Sequence, residues 1–262
     1  MPQLRTGHAK AEDGTRIAYQ VSGDGQPLLL LAGQSNNHSW WQPVRAGFEE
    51  QHTVITLDYR GTGDSDKPDS PYSVELFADD AAAVLDDLNI DRADVYGTSM
   101  GGRTAQWLAI NHPRRVRRLV LGCTSPGGRN AVPRDNEVGR RLGQSPESAR
   151  ELLIELMYPP QWRAANPGPY PVLGDDTMPP HARRHHLVAS HRHDAWHRLP
   201  EITAPTLILH GSDDRMTPVA NAELLKQRIP GSRVLILDGA RHAYFHERAA
   251  EATPAVLHFL SN

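Results

Sequence analysis

Short apolar runs alternate with helical patterns along most of the chain. Six runs of three or four residues have the length of buried strands and end at glycine, aspartate or polar loops. These runs cover residues 28–31, 54–57, 93–96, 119–121, 206–209 and 234–237. Residues 17–21 alternate between apolar and polar positions, which predicts an edge strand paired with the segment around His8.

Helical patterns occupy the intervals between these strands. The first follows Ser73, and its apolar residues fall on one helical face: Phe77, Ala81, Val84, Leu85 and Leu88. Three further helices are predicted, the last of which begins at Pro254: residues 100–111, 219–228 and 254–260. Strands that alternate with helices predict an α/β fold, in which helices cover both faces of a mostly parallel sheet.

One long segment breaks this rhythm. Residues 125–200 contain no convincing strand and about half of the chain's 21 prolines. One helix is indicated there, with Ser145 as the N-cap of the run 146–157. We interpret 125–200 as a helical cap inserted into a sheet domain formed by residues 1–124 and 201–262. The alternative is a long irregular loop, which compact domains seldom contain without a functional reason.

The sequence Gly97-Thr98-Ser99-Met100-Gly101 fits the Gly-x-Ser-x-Gly pattern of a nucleophile elbow. It directly follows a predicted strand and directly precedes a predicted helix, which argues against a chance match. A serine at such a strained turn projects its hydroxyl at the carboxyl edge of the sheet, beside the positive end of the helix dipole. We therefore predict that Ser99 is a nucleophile.

A serine hydroxyl needs a base to accept its proton, and after such an elbow the chain order is an acid and then a histidine. Four histidines follow the cap: His210, His242, His246 and His258. His210 stands at a predicted strand end, where packing is the usual role, and His258 falls within the last helix. His242 stands in the loop after the final strand, so we predict it as the base, with His246 as the second candidate.

The acid that orients the histidine is expected after an earlier strand. The loop after the strand at 206–209 contains both Asp213 and Asp214. Asp214 is the predicted acid, and Asp213 is the alternative or a loop and capping residue. The acid would hold the imidazole in one tautomer and stabilise the imidazolium.

A tetrahedral intermediate needs backbone N–H donors for its oxyanion. One expected donor is Met100, the residue after the nucleophile. The other is Gln34, in the loop after the strand at 28–31. Gln34 is chosen on position alone, because a backbone donor does not depend on the type of residue.

Together these motifs resemble the α/β-hydrolase superfamily, in particular its cap-bearing esterase and enol-lactonase-like members. Residues 58–65 are similar to the family's Asp-x-Arg-Gly-x-Gly-x-Ser turn. Residues 211–218 are similar to its acid loop, with Asp214 at the position of the family's catalytic acid. Residues 239–242 are similar to its Gly-Ala-Gly-His motif. The resemblance implies an eight-stranded sheet.

Two departures from the family pattern bear on the site. Ala32-Gly33 stands where the family commonly has His-Gly before the oxyanion residue. Arg241 replaces the second glycine of Gly-Ala-Gly-His, where it either favours acidic substrates or is a solvated loop charge. The serine at position 99 argues against dehalogenases and epoxide hydrolases, whose nucleophile would be an aspartate.

Tryptophan and histidine residues suggest further sites. Trp40, Trp41, Trp162 and Trp196, together with Gly33, are candidates for the wall of a substrate pocket, although core or cap packing explains the tryptophans equally well. The cap also contains six histidines: His181, His185, His186, His191, His193 and His197. Two pairs have the i, i+4 spacing of zinc ligands, but no cysteine accompanies them. We therefore predict a solvated cap face and no metal site.

Composition narrows the classes of function. The chain has 39% hydrophobic and 23% charged residues, which fits a globular protein. Its formal net charge of −3 provides no field that would attract nucleic acid or an anionic membrane. One cysteine allows no intrachain disulfide, and the first residues contain no apolar run. We expect a cytoplasmic protein without a signal peptide or membrane insertion.

The sequence predicts a serine hydrolase that cleaves a carboxylic ester or lactone of a small to medium-sized molecule through an acyl-enzyme on Ser99, without a cofactor. The same triad also serves C–C bond hydrolysis, thioester hydrolysis, acyl transfer and cofactor-free perhydrolysis, and the fold does not select among them. A non-catalytic ligand-binding module on a hydrolase scaffold is the third interpretation. The sequence carries no signal for the oligomeric state.

Overall fold

A computed structural model describes residues 4–142 and 146–262, and the predicted N-cap Ser145 lies outside them. Eight strands form one sheet: β1 (Arg5–Lys10), β2 (Arg16–Ser22), β3 (Gln26–Leu31), β4 (His52–Leu57), β5 (Ala93–Thr98), β6 (Val116–Gly122), β7 (Thr206–Gly211) and β8 (Arg233–Leu237). Every strand predicted from an apolar run is present.

The strand order is β1-β2-β4-β3-β5-β6-β7-β8. Pairing is antiparallel at β1/β2 and β2/β4 and parallel from β4 to β8. His8 pairs with Ala18, as predicted, but β2 is not an edge strand because it also pairs with β4. This eight-stranded, mostly parallel sheet confirms the predicted fold class.

The described residues contain ten α-helices: α1 (Ala46–Glu49), α2 (Val74–Asp87), α3 (Met100–Asn111), α4 (Asn136–Leu142), α5 (Pro146–Met157), α6 (Pro160–Ala165), α7 (Pro180–Arg192), α8 (Ala220–Arg228), α9 (Tyr244–Glu247) and α10 (Ala249–Ser261). The Ser73 hydroxyl accepts the Leu76 N–H at 3.1 Å and so caps α2. In this described part, no helix combines the length and the apolarity needed to cross a bilayer.

The start of α10 was predicted wrongly. The helix begins at Ala249, and Pro254 lies inside it. The carbonyl of Arg248 accepts the N–H groups of Glu251, at 2.9 Å, and Ala252, at 2.8 Å, so a helical turn forms before the proline. Proline removes only its own donor, and residues upstream of it remain free to start the helix.

Four helices, α4 to α7, lie between β6 and β7. Within the described residues of this stretch, the β pairing consists of one isolated bridge between Gly127 and Asp194. A small apolar cluster of Val138, Leu152 and Leu156 joins α4 to α5. The helical content agrees with the expected character of 125–200, and the division of the chain into sheet domain and cap stays a prediction.

Candidate active site

Ser99 links the end of β5 to the start of α3 with a φ of 56° and a ψ of −120°. A positive φ is uncommon for a residue with a side chain, and such strain costs on the order of 1–3 kcal/mol. Neighbouring groups hold the turn: the Ser99 N–H donates to the Gly122 carbonyl at 2.9 Å, and the Thr124 hydroxyl donates to the Ser99 carbonyl at 2.7 Å. The predicted elbow therefore has a strained backbone at its serine.

Two glycines allow the close packing around this turn. A Cβ atom on Gly97 would lie 2.1 Å from the carbonyl oxygen of Gly101. A Cβ atom on Gly101 would lie 2.1 Å from the carbonyl oxygen of Leu31 at the end of β3. Both distances are far below van der Waals contact, so α3 reaches this position only with glycine at both sites.

His242 and Asp214 form a buried pair at the same sheet edge, after β8 and β7 respectively. Nδ1 of His242 lies 2.7 Å from Oδ2 of Asp214, and the two side chains are 1% and 0% exposed. The second carboxylate oxygen accepts the N–H groups of Met216 and Thr217, each at 2.8 Å. Because an ionised carboxylate can only accept, Nδ1 is the donor, and the neutral ring carries no proton on Nε2.

Asp214 stays ionised although it is buried. Burial by itself would raise its pKa, but the charges and contacts of His242 and His210 outweigh that effect and hold the pKa at about 2. Nε2 of His210 lies 3.4 Å from Oδ2 of Asp214 and 2.8 Å from the Thr217 carbonyl. His210 is buried at a strand end, as expected, and it also faces the candidate acid.

The competing candidates lie elsewhere. Asp213 is exposed and accepts a hydrogen bond from the Ser212 hydroxyl at 3.0 Å. His246 is in α9, where its Nδ1 lies 2.9 Å from the Tyr158 hydroxyl. The structure therefore brings Asp214, rather than Asp213, to His242.

Cys123 lies beside this pair. Its Sγ atom and the ligand atoms of Asp214 and His242 all lie within 4.8 Å of one another, the one such group of three in the part of the chain described. The thiol is fully buried, and burial raises its pKa well above the usual value, which keeps it protonated.

The paired histidines of α7 have separate partners. Nε2 of His185 lies 2.9 Å from Oδ1 of Asp69, and Nε2 of His181 lies 3.0 Å from the Lys67 carbonyl. These contacts attach α7 to the loop before α2. The pair thus has structural contacts, whereas the sequence suggested a solvated face.

The predicted oxyanion donors lie at the start of α3 and in the loop after β3. Met100 is the first residue of α3, so its N–H has no acceptor within the helix. Gln34 follows β3, and its carbonyl accepts the Asn36 side-chain amide at 2.8 Å. The Asn36 side chain also accepts the Gly174 N–H at 2.9 Å, which ties this loop to the 125–200 segment.

Further contacts from that segment fix Ser35, the neighbour of Gln34. The Ser35 carbonyl accepts the Asp175 N–H at 2.7 Å. The Ser35 N–H donates to Nδ1 of His186 at 3.4 Å, and Nε2 of His186 lies 2.9 Å from the Arg60 carbonyl. His186 is buried in α7, so the helix holds the predicted oxyanion loop, the loop after β3 that contains Gln34, through a neutral imidazole.

Arg241 matches neither of its two sequence interpretations. One of its guanidinium nitrogens donates to the carbonyl of Glu155 and, at 3.2 Å, to that of Tyr158. These are carbonyls at the C-terminal end of α5, where a helix leaves its acceptors free. Arg241 therefore attaches the base loop to α5.

The backbone continues this attachment. The His242 N–H donates to the Leu156 carbonyl at 3.3 Å, and the Ala243 N–H donates to the Met157 carbonyl at 3.1 Å. The candidate base and the oxyanion loop are thus both held by the segment between β6 and β7.

Trp40 and Trp41 belong to the core, which corrects their prediction as pocket walls. They are 1% and 0% exposed. Nε1 of Trp40 donates to the Thr98 hydroxyl at 2.9 Å, and its ring stacks on Phe245 with centroids 5.1 Å apart. Gly33 lies against the same ring, since a Cβ atom there would approach the indole to 2.5 Å. Gly33 therefore makes room for Trp40.

Trp162 and Trp196 are only partly buried, and neither lines the cleft that adjoins Gln34 and Thr217. Trp162 stacks on Tyr158 with centroids 4.5 Å apart. The Trp196 ring lies 5.0 Å from the guanidinium carbon of Arg228. A large aromatic side chain serves core, surface and pocket equally well, so residue type alone did not separate these roles.

A cleft of about 770 Å³ adjoins the site. Gln34 borders it, as do Met216 and Thr217, which donate to the candidate acid. Arg103 and Arg134 also line it, and sequence analysis missed both. The spacing of Arg103, one helical turn after Ser99, was a signal for its position, whereas nothing in the local sequence marked Arg134.

Residues 26–249 match the family model described as alpha/beta hydrolase fold, and the chain belongs to this family of hydrolases. A protein of Azorhizobium caulinodans named "Putative carbamate hydrolase RutD" is 31% identical over 237 residues, 87% of this chain and 88% of that one. The 3-oxoadipate enol-lactonase 2 of Acinetobacter baylyi is 29% identical over 220 residues, 82% of each chain. The enol-lactonase structure from Burkholderia xenovorans LB400 has a TM-score of 0.84 and 25% identity, covering 98% of this chain and 100% of that one.

Proposed function

We propose that this hydrolase cleaves a carboxylic ester or lactone of a small to medium-sized molecule through an acyl-enzyme on Ser99. The observation that carries the proposal is the buried Asp214–His242 pair, with 2.7 Å between Oδ2 and Nδ1, at the sheet edge of the strained Ser99 turn. His242 accepts the hydroxyl proton of Ser99 at Nε2 while Oγ attacks the carbonyl carbon, and Asp214 stabilises the resulting imidazolium.

The attack forms a tetrahedral intermediate, and the reaction then proceeds through an acyl-enzyme. The N–H groups of Met100 and Gln34 donate to the oxyanion. His242 returns its proton to the departing alkoxide, which leaves the acyl group on Ser99. Water attacks that ester with His242 again as the base, and release of the carboxylic acid regenerates the serine. These steps require neither a cofactor nor a metal.

The choice of an ester or lactone is supported by the two enol-lactonases among the similar proteins. A carbamate is the competing substrate class, because the Azorhizobium relative carries that name. Both classes present a carbonyl to the same nucleophile, so the products separate them: an ester yields an alcohol and an acid, whereas a carbamate releases an amine. The single buried Cys123 supports a cytoplasmic location.

The test is hydrolysis of p-nitrophenyl acetate, butyrate and octanoate, together with dihydrocoumarin as a lactone, by wild type and Ser99→Ala at pH 8. We expect Ser99→Ala to lower kcat/KM by about 10³-fold or more. Ser261→Ala, an exposed serine in α10, is the control and retains activity. A fluorophosphonate should add one adduct to wild type, at Ser99.

Activity that persists in Ser99→Ala, or an adduct on another residue, would overturn the assignment. Hydrolysis of phenyl carbamates faster than of the matching esters would favour the competing class.

A further inference from the structure

Among the described residues, two arginines of the cleft have only neutral hydrogen-bond acceptors. Nη1 of Arg103 donates to the carbonyl and the hydroxyl of Ser190, both at 2.7 Å, and Nη2 donates to the Ser125 hydroxyl at 3.4 Å. Its Nε atom is buried without an acceptor among the described residues. Arg103 is partly buried, and a shielded cation without an opposite charge is costly, so this group needs an explanation.

Arg103 is close to the proposed nucleophile. It lies four residues after Ser99 in the first turn of α3, and its N–H donates to the Ser99 carbonyl at 3.3 Å. Ser99 is the N-cap of that helix, so the two residues lie within about one helical turn of each other along the backbone. A group bound by Arg103 would therefore belong to a molecule that also reaches Ser99.

Arg134 lines the same cleft, near enough for its charge to act on Arg103. The Asn221 side chain is buried, and its Oδ1 accepts the Val132 N–H while its Nδ2 donates to the Val132 carbonyl, both at 2.9 Å. This pair of hydrogen bonds fixes the loop two residues before Arg134. Nη1 of Arg134 then lies 3.2 Å from Sδ of Met216, a weak acceptor that leaves the guanidinium available.

In the part of the chain that the structure describes, neither arginine forms an ion pair. Burial, and then the neighbouring charge of Arg134, lower the pKa of Arg103 to about 10, so it remains a cation at neutral pH. Burial keeps His193 neutral by lowering its pKa well below the usual value. Asp135 also lines the cleft and accepts the Glu137 N–H at 2.6 Å, and Asp214, which attracts Arg134, is hydrogen-bonded to His242.

We propose that the cleft binds a carboxylate group of the substrate between Arg103 and Arg134, so that the enzyme selects acidic esters or lactones over neutral ones. Guanidinium groups match the planar geometry of a carboxylate, which accepts two parallel hydrogen bonds from each. This inference rests on the proposed acyl transfer at Ser99, because it makes the cleft a subsite of that reaction.

The test compares the mono-p-nitrophenyl ester of adipic acid with p-nitrophenyl 5-carbamoylpentanoate, in which an uncharged amide replaces the carboxylate. We expect wild type to prefer the acid in kcat/KM by about 10- to 100-fold, the range of charge-assisted hydrogen bonds. Arg134→Gln should reduce this ratio about tenfold, and 0.5 M NaCl should reduce it in wild type. Arg140→Gln, an exposed arginine of α4, should leave the ratio unchanged.

Arg103 also binds α7, so Arg103→Lys serves as the second variant, which keeps the charge but loses the planar fork. It should reduce the ratio less than Arg134→Gln does. Calorimetric titration of Ser99→Ala with both compounds measures the same preference without turnover.

The possible results separate the two proposals. Equal hydrolysis of both esters, with equal binding to Ser99→Ala, would overturn the carboxylate site and leave the serine hydrolase intact. Selective binding of the acid that Arg134→Gln weakens, without hydrolysis by wild type, would support the site and overturn the acyl transfer.

Discussion

The backbone N–H of His242 donates to the carbonyl of Leu156 over 3.3 Å, so the proposed base is attached to the last turn of α5. The oxyanion loop has equivalent attachments through Asp175 and His186. The segment between β6 and β7 therefore fixes the geometry of the proposed catalytic groups from both sides. A misplacement of about 1 Å in such groups is enough to cost two orders of magnitude in rate.

Replacement of Arg241 should test this attachment. Arg241→Met removes the hydrogen bonds to the Glu155 and Tyr158 carbonyls, so we expect kcat to fall about tenfold, with a loss of stability of about 1.5–3 kcal/mol. The control is Arg215→Met. Arg215, in the loop after β7, forms an exposed ion pair with Glu155 of α5, which should contribute less than about 1 kcal/mol to the free energy of unfolding. Steady-state kinetics and urea unfolding measure both effects. An unchanged kcat in Arg241→Met would show that this attachment does not position the base.

The two neighbouring aspartates should differ sharply. Asp214→Asn alters the acceptor of the His242 Nδ1–H bond and favours the wrong tautomer, so we expect kcat to fall by about 10³- to 10⁴-fold. Asp213→Asn changes an exposed loop carboxylate and should stay within about twofold of wild type. Because the pKa of Asp214 is about 2, the acid remains ionised across the pH range of the assay, and the deficit should persist from pH 6 to 9. A larger loss in Asp213→Asn than in Asp214→Asn would contradict the assignment.

Acid should loosen the contact between α7 and the oxyanion loop. Burial lowers the pKa of His186 to about 4, below its ordinary value of 6.5. The contribution of the neutral His186 ring to the free energy of unfolding is therefore complete above pH 6.5, and it is lost as the pH falls through 4. The full effect is on the order of 3 kcal/mol.

The measurement is the pH dependence of urea unfolding between pH 7 and 4. His186→Gln should show a shallower decline than wild type, whereas His191→Gln, exposed on the same helix, should follow wild type. Identical slopes for all three proteins would refute the role of His186.

Trp40 should matter for stability. Trp40→Ala removes a buried ring and its hydrogen bond to Thr98, so we expect a loss of about 3–5 kcal/mol. Trp196→Ala, at a partly exposed ring, should lose less than half as much. The free energy of urea unfolding compares them. A stable Trp40→Ala protein with an altered preference for acyl length would instead support the original view of Trp40 as a pocket wall.

The features that could be predicted from the sequence are those that neighbouring residues determine. The apolar runs located the strands, and the elbow located the strained turn at Ser99 because both depend on neighbouring residues. The partners of Arg241 could not be predicted in this way, since Glu155 and Tyr158 are distant in the chain and act through backbone carbonyls. Pro254 misled for a related reason: the bonds to the Arg248 carbonyl that start α10 do not require the proline donor.

The rate at which Cys123 reacts with a thiol reagent can report local opening of the folded chain. Cys123 is the only thiol, it is fully buried, and it lies beside Asp214 and His242. A thiol reagent can therefore react only when the region around the proposed catalytic groups opens, so the labelling rate measures how often that opening occurs. No engineered probe is needed to time the motion of this part of the molecule.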